Sequence, residues 1–416
     1  LQHVPKLPGG GLFYFTSEDG IAWQRPPLPD VPVHGRPSHI VPLWNARWPE
    51  HEGAPYHEVF GVHKDADAPD PRKRYTLGFL YLKRNYFGPG MHPHHPGQLR
   101  GLGVAYSPDG IHWDALEHPV TLATSDGATS WCRDPVSRRY LLYGRGKAYD
   151  PEVVARFRDD PRFVHNAGRA VVRAESPDFE HWTPEHGQLV MTSDVQDGVG
   201  ADIYGMQVFP YEGLYIGLVQ VFHHYAERAW LEIQLAVSRD SLHFERLSDR
   251  TPFIPVGGVG AWDRFNNSLA TNPPHAVGDA LRIYYAGRNY VHSGACTGPD
   301  NGRDAGILPL AGVGVGSIKR DRFAGMEASF AAGTLRTRPL LVEGRTLHLN
   351  ADAPFGRVAV RLLRPDGTPI PGMAAQLQGE DTLDAPLPPD LAPLAGQPVG
   401  LEFTITNARL YAFWIG

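Results

Sequence analysis

Short apolar stretches, each interrupted after a few residues by Gly, Pro or Asp, recur along most of the chain. Their length and their Val, Tyr, Phe and Trp content are typical of β-strands joined by tight turns. Few segments show the 3.6-residue apolar spacing of an amphipathic helix. The best helix candidate is PEVVARF, flanked by Asp and ending at Phe157, and we expect a short helix in a loop there. The pattern predicts an all-β protein.

One turn motif, which begins with Ser and places an aromatic ring six residues later, recurs five times. The copies are Ser17–Trp23, Ser107–Trp113, Ser176–Trp182, Ser238–Phe244 and a degenerate Ser317–Phe323. Each follows an apolar strand. We expect the Asp of the motif to accept backbone N–H bonds, the Gly to adopt positive φ, and the ring to pack on the strand. Five turns of one type predict a five-bladed β-propeller with four-stranded blades.

The pattern changes near residue 330, where longer alternating strands with Asp-Gly turns replace the repeated motif. This change predicts a five-bladed β-propeller over residues 1–330, which carries the ligand site. A small structural β-sandwich is expected to follow over residues 331–416. The long Pro-rich stretch near the C-terminus is expected to be an ordered loop of this sandwich.

Composition narrows the function classes. Hydrophobic residues make up 42% of the chain, enough for a core, but no apolar run approaches the ~18–20 residues of a membrane span. The net charge of -6 and the lack of a basic run argue against a nucleic-acid partner. Cys132 and Cys296 form neither a disulfide framework nor a zinc motif, and we expect two free thiols.

The opening LQHVPKLPGGG has no apolar signal-peptide core, and we expect a processed or trimmed terminus. A secreted or periplasmic location is favoured over a cytoplasmic one. The oligomeric state is left open by the sequence.

The predicted strand register brings three aspartates to one end of the propeller channel. Asp126, Asp202 and Asp263 each precede or open the first strand of a blade. The hairpin turns then fall at Asp134-Pro135, Glu212-Gly213 and Gly278-Asp279. Converging carboxylates are what glycoside hydrolysis requires, one as general acid and one as nucleophile or base. We therefore predict Asp126, Asp202 and Asp263 as catalytic.

Three other carboxylates are alternates. In the first repeat the channel residue is His57 or Glu58, because the register is less regular there. If the first strands are shorter than assumed, Asp134 and Glu212 become the catalytic pair at the opposite face. Basic and aromatic residues where the return strands end, or near them, are predicted to bind substrate. They are Arg84, Arg145, Tyr204, His223, His224, Arg288 and His292.

The S-x-D-G-x-x-W turns, the W-C-R-D-P sequence at Trp131–Pro135, the Y-x-G-x-Y of Tyr211–Tyr215 and the G-x-W-D of Gly260–Asp263 resemble motifs of five-bladed glycoside hydrolases. The similar families are the invertase-like family 32 and the arabinofuranosidase-like family 43. The resemblance implies a propeller that acts on a carbohydrate. It also implies that Asp134 contacts sugar hydroxyls. The family 32 motifs W-M-N-D-P-N-G and E-C are absent from the sequence.

These observations lead to three hypotheses about function. The first is a glycosidase on a terminal, furanosidic or acidic, sugar. The second is a non-catalytic glycan-binding propeller, and the third is a lyase on a uronate-containing glycan with His223 or Tyr204 as base. No cofactor is expected. A structural Ca²⁺ near His292 is left open, as is metal binding by the loop with His92, His94 and His95.

Overall fold

Strands make up nearly all regular structure in the computed structural model of the chain, which confirms the all-β prediction. The structure describes residues 11–33, 36–42, 56–66, 68–91, 96–124, 126–163, 168–224, 229–247, 249–270, 272–292, 308 and 310–416. The chain divides into two compact units. Unit 1 comprises Leu1–Pro274 and Ile283–Gly316, and unit 2 comprises His275–Arg282 and Ser317–Gly416.

Unit 1 begins with four short strands that form two-stranded pairs, β1 with β4 and β2 with β3. Their bounds are β1 (Gly11–Phe13), β2 (Leu28–Val33), β3 (Arg36–Ser38) and β4 (Ile40–Pro42). Sheet A follows, with a 3-10 helix at Pro71–Lys73 between its first two strands. It contains β5 (Tyr56–Lys64), β6 (Tyr75–Arg84), β7 (Gln98–Ser107) and β8 (Asp114–Ala115), in that spatial order.

Sheet B has the same consecutive order of strands, from β9 to β12. It contains β9 (Ser130–Arg133), β10 (Tyr140–Lys147), β11 (Arg169–Ser176) and β12 (Thr183–Met191). The predicted short helix is confirmed as α1 (Pro151–Phe157), which Asp150 caps by accepting the N–H groups of Glu152 and Val153. Among the described residues no helix is long and apolar enough to cross a membrane.

Sheets C and D follow a 3-10 helix at Val195–Asp197, and the parts of sheet D within His275–Arg282 and residues 317–319 belong to unit 2. Sheet C contains β13 (Ala201–Tyr211), β14 (Leu214–His223), β15 (Trp230–Ser238), β16 (Glu245–Arg246) and β17 (Pro252–Ile254). Sheet D contains β18 (Asn266–Leu269), β19 (His275–Val277), β20 (Ala280–Arg288) and β21 (Ala311–Lys319). One parallel bridge, Leu231 to Asn266, joins the two sheets.

The sheets of unit 1 pack face to face around a shared cavity. The first strands β5, β9, β13 and β18 all contribute to its wall. Leu102 of sheet A and Leu142 of sheet B share one buried cluster with Trp131, while Leu141 and Ile203 belong to the next cluster, between sheets B and C. Stacked sheets whose first strands surround a central cavity form a β-propeller. The count of five blades stays a prediction.

Gly78 allows the close packing of sheets A and B. A β-carbon at this position would lie 2.7 Å from the ring of Trp131, which inserts between the two sheets. The buried ring contributes roughly 1.5–3 kcal/mol by the area it removes from water. A small residue on one sheet and a large one on the other therefore set the spacing of these two sheets.

The repeated turns have the predicted hydrogen bonds. Oδ1 of Asp109 accepts the N–H groups of Ile111 and His112 at 2.8 Å, and Oγ of Ser107 accepts the N–H of Gly110. Equivalent carboxylate bonds are made by Asp19, Asp178 and Asp240. In sheets A, B and C these bonds fix the chain where the third strand ends, at Ser107, Ser176 and Ser238.

Positive φ at the glycine position persists where the motif has no glycine. Gly110 has φ 80°, and the equivalent Phe179 and Ser241 have φ 71° and 65°. The Asp and Ser bonds therefore impose this conformation on residues that disfavour it. The rings of Trp113 and Trp182 are buried, as expected for rings that pack on their strands. Trp23, for which the same packing was expected, is 52% exposed and lies edge-on to Tyr284.

The predicted hairpin turns are also confirmed. Asp134 opens the turn after Arg133, whose partner across the β9–β10 hairpin is Tyr140. Glu212 and Gly213, with φ of 44° and 75°, form the turn that joins Tyr211 to Leu214. Both positive values match the two-residue turns whose twist suits antiparallel strands. The register of the strands that lead to the cavity is therefore the one that the sequence indicates.

Unit 2 is dominated by two long strands, and its core is separate from those of unit 1. Its strands are β22 (Met326–Ala328), β23 (Gly333–Arg336), β24 (Leu340–Leu341), β25 (Leu347–Leu363), β26 (Pro369–Leu387), β27 (Pro398–Thr406) and β28 (Ala408–Ile415), with a 3-10 helix at Ala392–Leu394. One edge of β25 pairs with β26. Its other edge pairs with β28 and then with β27, so the sheet curls around Leu349, Val360 and Phe403. The two-layer sandwich stays a prediction.

Candidate functional site

The cavity inside unit 1 has a volume of about 580 Å³ and is enclosed by the first strands of sheets A to D. Its wall mixes carboxylate, hydroxyl and amide groups with small residues. Oε1 of Gln207 and Oε1 of Gln220 line it, and both are buried acceptors without a hydrogen-bond donor among the described residues. A buried carbonyl oxygen without a partner is costly, so these atoms favour a ligand rich in hydroxyl donors, or water.

Glu58 and Asp126 meet at Gly127, although they come from neighbouring sheets. Asp126 lies four residues before β9, and its Oδ1 accepts the N–H of Gly127 at 2.9 Å. Glu58 is in β5, and its Oε2 would lie 2.1 Å from a β-carbon placed on Gly127. Glycine at this position therefore allows the carboxylate of Glu58 to approach the backbone beside Asp126.

Asp126 is held in its ionised form. Burial alone would raise its pKa, but the charges of Arg145 and Arg100 and the N–H of Gly127 outweigh burial, and the pKa lies below its usual value. Nη1 of Arg145 donates to Oδ2 of Asp126 at 2.9 Å. Arg145 is 3% exposed, so contacts with protein atoms rather than with water hold its guanidinium in position.

Arg145 also connects Asp126 to Tyr204. Its Nε and Nη2 atoms donate to the backbone carbonyl of Tyr204 at 3.0 and 2.7 Å. The guanidinium carbon lies 4.0 Å from the centre of the Tyr204 ring, a cation–π contact. One buried side chain thus orients a carboxylate from sheet B and an aromatic residue from sheet C.

Tyr204 and His292 form the next contact in this group. The Oη atom of Tyr204 lies 2.6 Å from Nε2 of His292. Burial, and then the positive charges of Arg288, Arg169 and Arg145, lower the pKa of His292 to about 4. At neutral pH the imidazole is therefore uncharged, and in the tautomer with Nδ1 protonated its Nε2 accepts the hydroxyl proton of Tyr204.

Asp202 belongs to the same end of the channel but is almost fully neutralised. It is 2% exposed, and its Oδ2 accepts Nη1 of Arg169 at 2.8 Å and contacts Nε2 of His224 at 2.8 Å. Oδ1 also accepts the backbone N–H of Arg169. These contacts make Asp202 an anchor for Arg169 and His224 rather than an exposed proton donor.

The structure thus brings together Asp126, Arg145, Tyr204, His292, Asp202 and His224, and adds Glu58 from the alternates. It separates His223 from His224. The ring of His223 stacks on Trp230 and contacts Glu232 at 3.4 Å, because successive residues of a strand point to opposite faces. His224 therefore contacts Asp202, whereas His223 contacts Trp230 and Glu232, and the substrate-binding role of both histidines stays a prediction.

Asp263 is not brought to this group by any contact among the described residues. Its Oδ2 accepts the hydroxyl of Tyr285 at 2.9 Å, and its β-carbon lies beside Gly287. The strand β18 begins at Asn266, so Asp263 remains in the loop ahead of it. Asp134 and Glu212 lie in the hairpin turns: Asp134 bonds Ser137 and Tyr215, and Glu212 is exposed.

Arg84 and Arg288, both predicted from the sequence, end β6 and β20. Arg84 is exposed and electrostatically coupled to Arg100, and Arg288 is half-buried over the ring of Tyr290. The side chain of His57, the residues His92, His94 and His95, and Cys296 lie outside the described residues. Cys132 is a free thiol whose pKa is raised by burial to about 12.

Sequence reasoning missed Arg100 and Arg169. Arg100 interacts with the charges of Asp126, Arg84 and Glu58, and Arg169 pairs with Asp202. Both residues lie near the start of the third strand of their sheets. Because the second and third strands are antiparallel, the third strand begins at the channel end, where the second strand stops. The strand sequences RGLGVAY and RAVVRAE each open with this arginine, which was the available indication. Among the described residues, no cluster of three His, Cys, Asp or Glu is suited to a metal.

No family model matches the sequence, and no curated protein matches it. Solved structures resemble the chain at low identity. An N-acetylgalactosamine deacetylase from F. plautii, in complex with blood group B trisaccharide, is 14% identical with a TM-score of 0.45, and the match covers 74% of this chain and 81% of that chain. The Bombyx mori GH32 β-fructofuranosidase is 10% identical with a TM-score of 0.38, covering 85% and 78%.

A GH43 arabinoxylan arabinofuranohydrolase from Bacillus subtilis, in complex with cellotetraose, is 12% identical with a TM-score of 0.31, covering 85% of this chain and 78% of that chain. At TM-scores below 0.5 these likenesses assign no family, substrate or mechanism to the protein.

Proposed function

We propose that this protein hydrolyses a glycosidic bond of a terminal sugar, with Glu58 and Asp126 as its catalytic carboxylates. The observation that carries the proposal is the meeting of these two side chains at Gly127, which together with Glu58 lines a cavity large enough for a sugar. Two carboxylates facing one reacting centre are the common requirement of most glycoside hydrolases.

The electrostatics give the two carboxylates different roles. Arg145, Arg100 and the N–H of Gly127 favour the ionised form of Asp126, which suits a nucleophile or a base for water. Glu58 is then the proton donor to the leaving oxygen, since hydrolysis needs one acid and one base. Asp202, neutralised by Arg169 and His224, positions these neighbours and does not transfer the proton itself.

The rest of the cavity is consistent with a sugar ligand. Gln207 and Gln220 offer buried carbonyl oxygens that sugar hydroxyls can satisfy, and the ring of Tyr204 is a half-buried aromatic surface at the wall. Ligand pockets commonly combine aromatic side chains, which contact the apolar face of a ligand ring, with a few polar groups that bind its hydroxyls. A non-catalytic glycan-binding propeller would use the same groups without the carboxylate pair.

The test is a panel of nitrophenyl glycosides and oligosaccharides, with release of nitrophenol and of reducing ends as readouts. We expect turnover by the wild type and a loss of about 10²–10⁴-fold in Glu58→Gln. Glu212→Gln is the matched control, because Glu212 is exposed in an outer turn, and it should keep full activity. Glycan binding without turnover in any assay would contradict the proposal.

A second candidate is a lyase on a uronate-containing glycan, favoured by the Tyr204–His292 pair among arginines. Tyr204 would pass its hydroxyl proton to Nε2 of His292 and remove the proton beside the carboxylate. The electrons of that C–H bond would form the double bond, and the glycosidic oxygen would leave with its bonding pair and take a proton from water. An arginine would stabilise the developing negative charge. An unsaturated, ultraviolet-absorbing product whose formation needs Tyr204 but not Glu58 would favour this candidate over hydrolysis.

A further inference from the structure

We propose that a subsite for the carboxylate of a uronic-acid sugar lies beside the cavity, next to the contact of its wall residue Tyr204 with His292, and that Arg288 is its principal cation. This inference rests on the proposed function, since it takes the cavity as the place where the sugar is bound. It names the class of substrate, which neither the cavity shape nor the carboxylate pair specifies.

The charges at this end of the channel do not balance. Five arginines are tied to the site by contacts or electrostatic coupling, namely Arg84, Arg100, Arg145, Arg169 and Arg288. Three carboxylates face them, namely Glu58, Asp126 and Asp202. Asp126 and Asp202 are paired with Arg145 and Arg169. Arg100 is attracted by both Asp126 and Glu58, whereas Arg84 and Arg288 make no ion pair among the described residues. The described site therefore has an excess of positive charge.

Arg288 is the cation best placed for an anionic ligand. It ends β20 directly beside Asn266, the first residue of the cavity-lining strand β18. It is half-buried, its guanidinium carbon lies 5.4 Å from the centre of the Tyr290 ring, and it makes no ion pair among the described residues. A guanidinium held in place by an aromatic ring, without a carboxylate of its own, is ready to bind one.

The groups beside Arg288 complete the subsite. Its charge is one reason why the pKa of His292 is lowered, so the two side chains are close. His292 is uncharged at neutral pH and bonded to Tyr204, which lies under Arg145. A carboxylate bound by Arg288 therefore meets neutral polar groups and positive charge, with Asp126 and Asp202 already neutralised by their partners. The electrostatic field of these arginines also favours the approach of anions.

The experiment is calorimetric titration of the full chain with D-glucuronate and D-galacturonate, and with D-glucose and D-galactose as neutral controls. We expect at least one uronate to bind at least tenfold more tightly than its neutral counterpart, and its binding to weaken as salt rises. Arg288→Gln should reduce uronate affinity about tenfold or more, because a charged hydrogen bond is lost. Arg288→Lys keeps the charge, so its uronate affinity should lie between those of the wild type and Arg288→Gln. Arg239→Gln, in an outer turn, should bind the uronate as tightly as the wild type.

The inference is overturned if neither uronate binds, if the neutral sugars bind as tightly, or if Arg288→Gln changes uronate affinity less than twofold. Its failure is separable from that of the proposed function. Hydrolysis of neutral glycosides without uronate binding would remove the subsite and keep the hydrolase. Uronate binding that depends on Arg288, without cleavage of any glycoside in the panel, would keep the subsite and remove the hydrolase.

Discussion

Replacement of Arg145 by Met removes the side chain that connects Asp126 to Tyr204. The variant loses the ion pair with Asp126 and both donors to the carbonyl of Tyr204, but Met fills much of the volume of the arginine stem. Breaking a buried ion pair by removing one partner costs about 3–5 kcal/mol. Asp126 is only half-buried and keeps its bond to Gly127, so water compensates part of the loss, and we expect about 3 kcal/mol of unfolding free energy to be lost.

The same substitution should change the pH dependence of activity. Arg145 is the main attraction that lowers the pKa of Asp126 against burial, so its removal raises this pKa. The ionised form then appears at higher pH, and the acidic limb of the kcat/KM profile should move upward. Urea unfolding at neutral pH and the pH profile of a cleaved glycoside measure the two effects.

Arg239→Met is the control, because Arg239 is exposed in an outer turn and should unfold like the wild type. If Arg145→Met loses less than about 0.5 kcal/mol and its acidic limb does not move, Arg145 neither stabilises the site nor controls the charge of Asp126. The roles given to both residues would then be wrong.

Three further predictions concern the cavity, the core and acid stability. Gly127→Ala should lower kcat tenfold or more with little change in Tm, because the added β-carbon displaces Glu58. Gly258→Ala is the control, since a β-carbon there meets no atom within 4 Å, and equal kcat values for the two variants would refute the clash at Gly127. Arg246→Met should cost about 3–5 kcal/mol in urea unfolding, because the buried Asp197 loses both bonds from Arg246 and keeps, among the described donors, only the N–H of Asp194. A loss below about 1 kcal/mol would contradict this. Burial opposes the ionisation of Asp109 and Asp178, but hydrogen bonds from backbone N–H groups and from His112 and His181 hold the pKa of each carboxyl well below its usual ~3.9. The two carboxylates therefore stabilise the fold above pH ~3.9, and this stabilisation is lost as the pH falls through their pKa values in the folded protein. Tm should therefore fall steeply below about pH 4, and less steeply in the Asp109→Asn/Asp178→Asn double variant; identical slopes would exclude these turns as the cause.

The sequence predicted local structure well because its determinants are local. The Ser and Asp bonds of the repeated turn join residues within a few positions of each other, and the hairpin at Glu212-Gly213 needs only two residues with positive φ. The predicted hairpin turn at Asp134-Pro135 then placed Asp126 and Arg145 at the same end of sheet B, where they form an ion pair.

The site was predicted less completely because it is built between sheets. Glu58 reaches Asp126 only because Gly127 has no side chain, and Arg169 reaches Asp202 from a neighbouring sheet. Such contacts depend on the stacking and twist of the sheets, which the register within one sheet does not determine. The pairing of His223 with Trp230 was missed for a simpler reason, since His223, the last residue of β14, and the next residue, His224, were assigned to one face.

The central claim, that Glu58 and Asp126 act as one catalytic pair, is tested most directly by comparing Glu58→Gln, Asp126→Asn and the double variant. Residues that act as a unit are strongly non-additive in their effects on turnover. The account predicts that each single substitution lowers kcat by about 10²–10⁴-fold with the fold retained, and that the double variant is no worse than the poorer single one. Losses below tenfold in both single variants, or losses that multiply in the double variant, would contradict it.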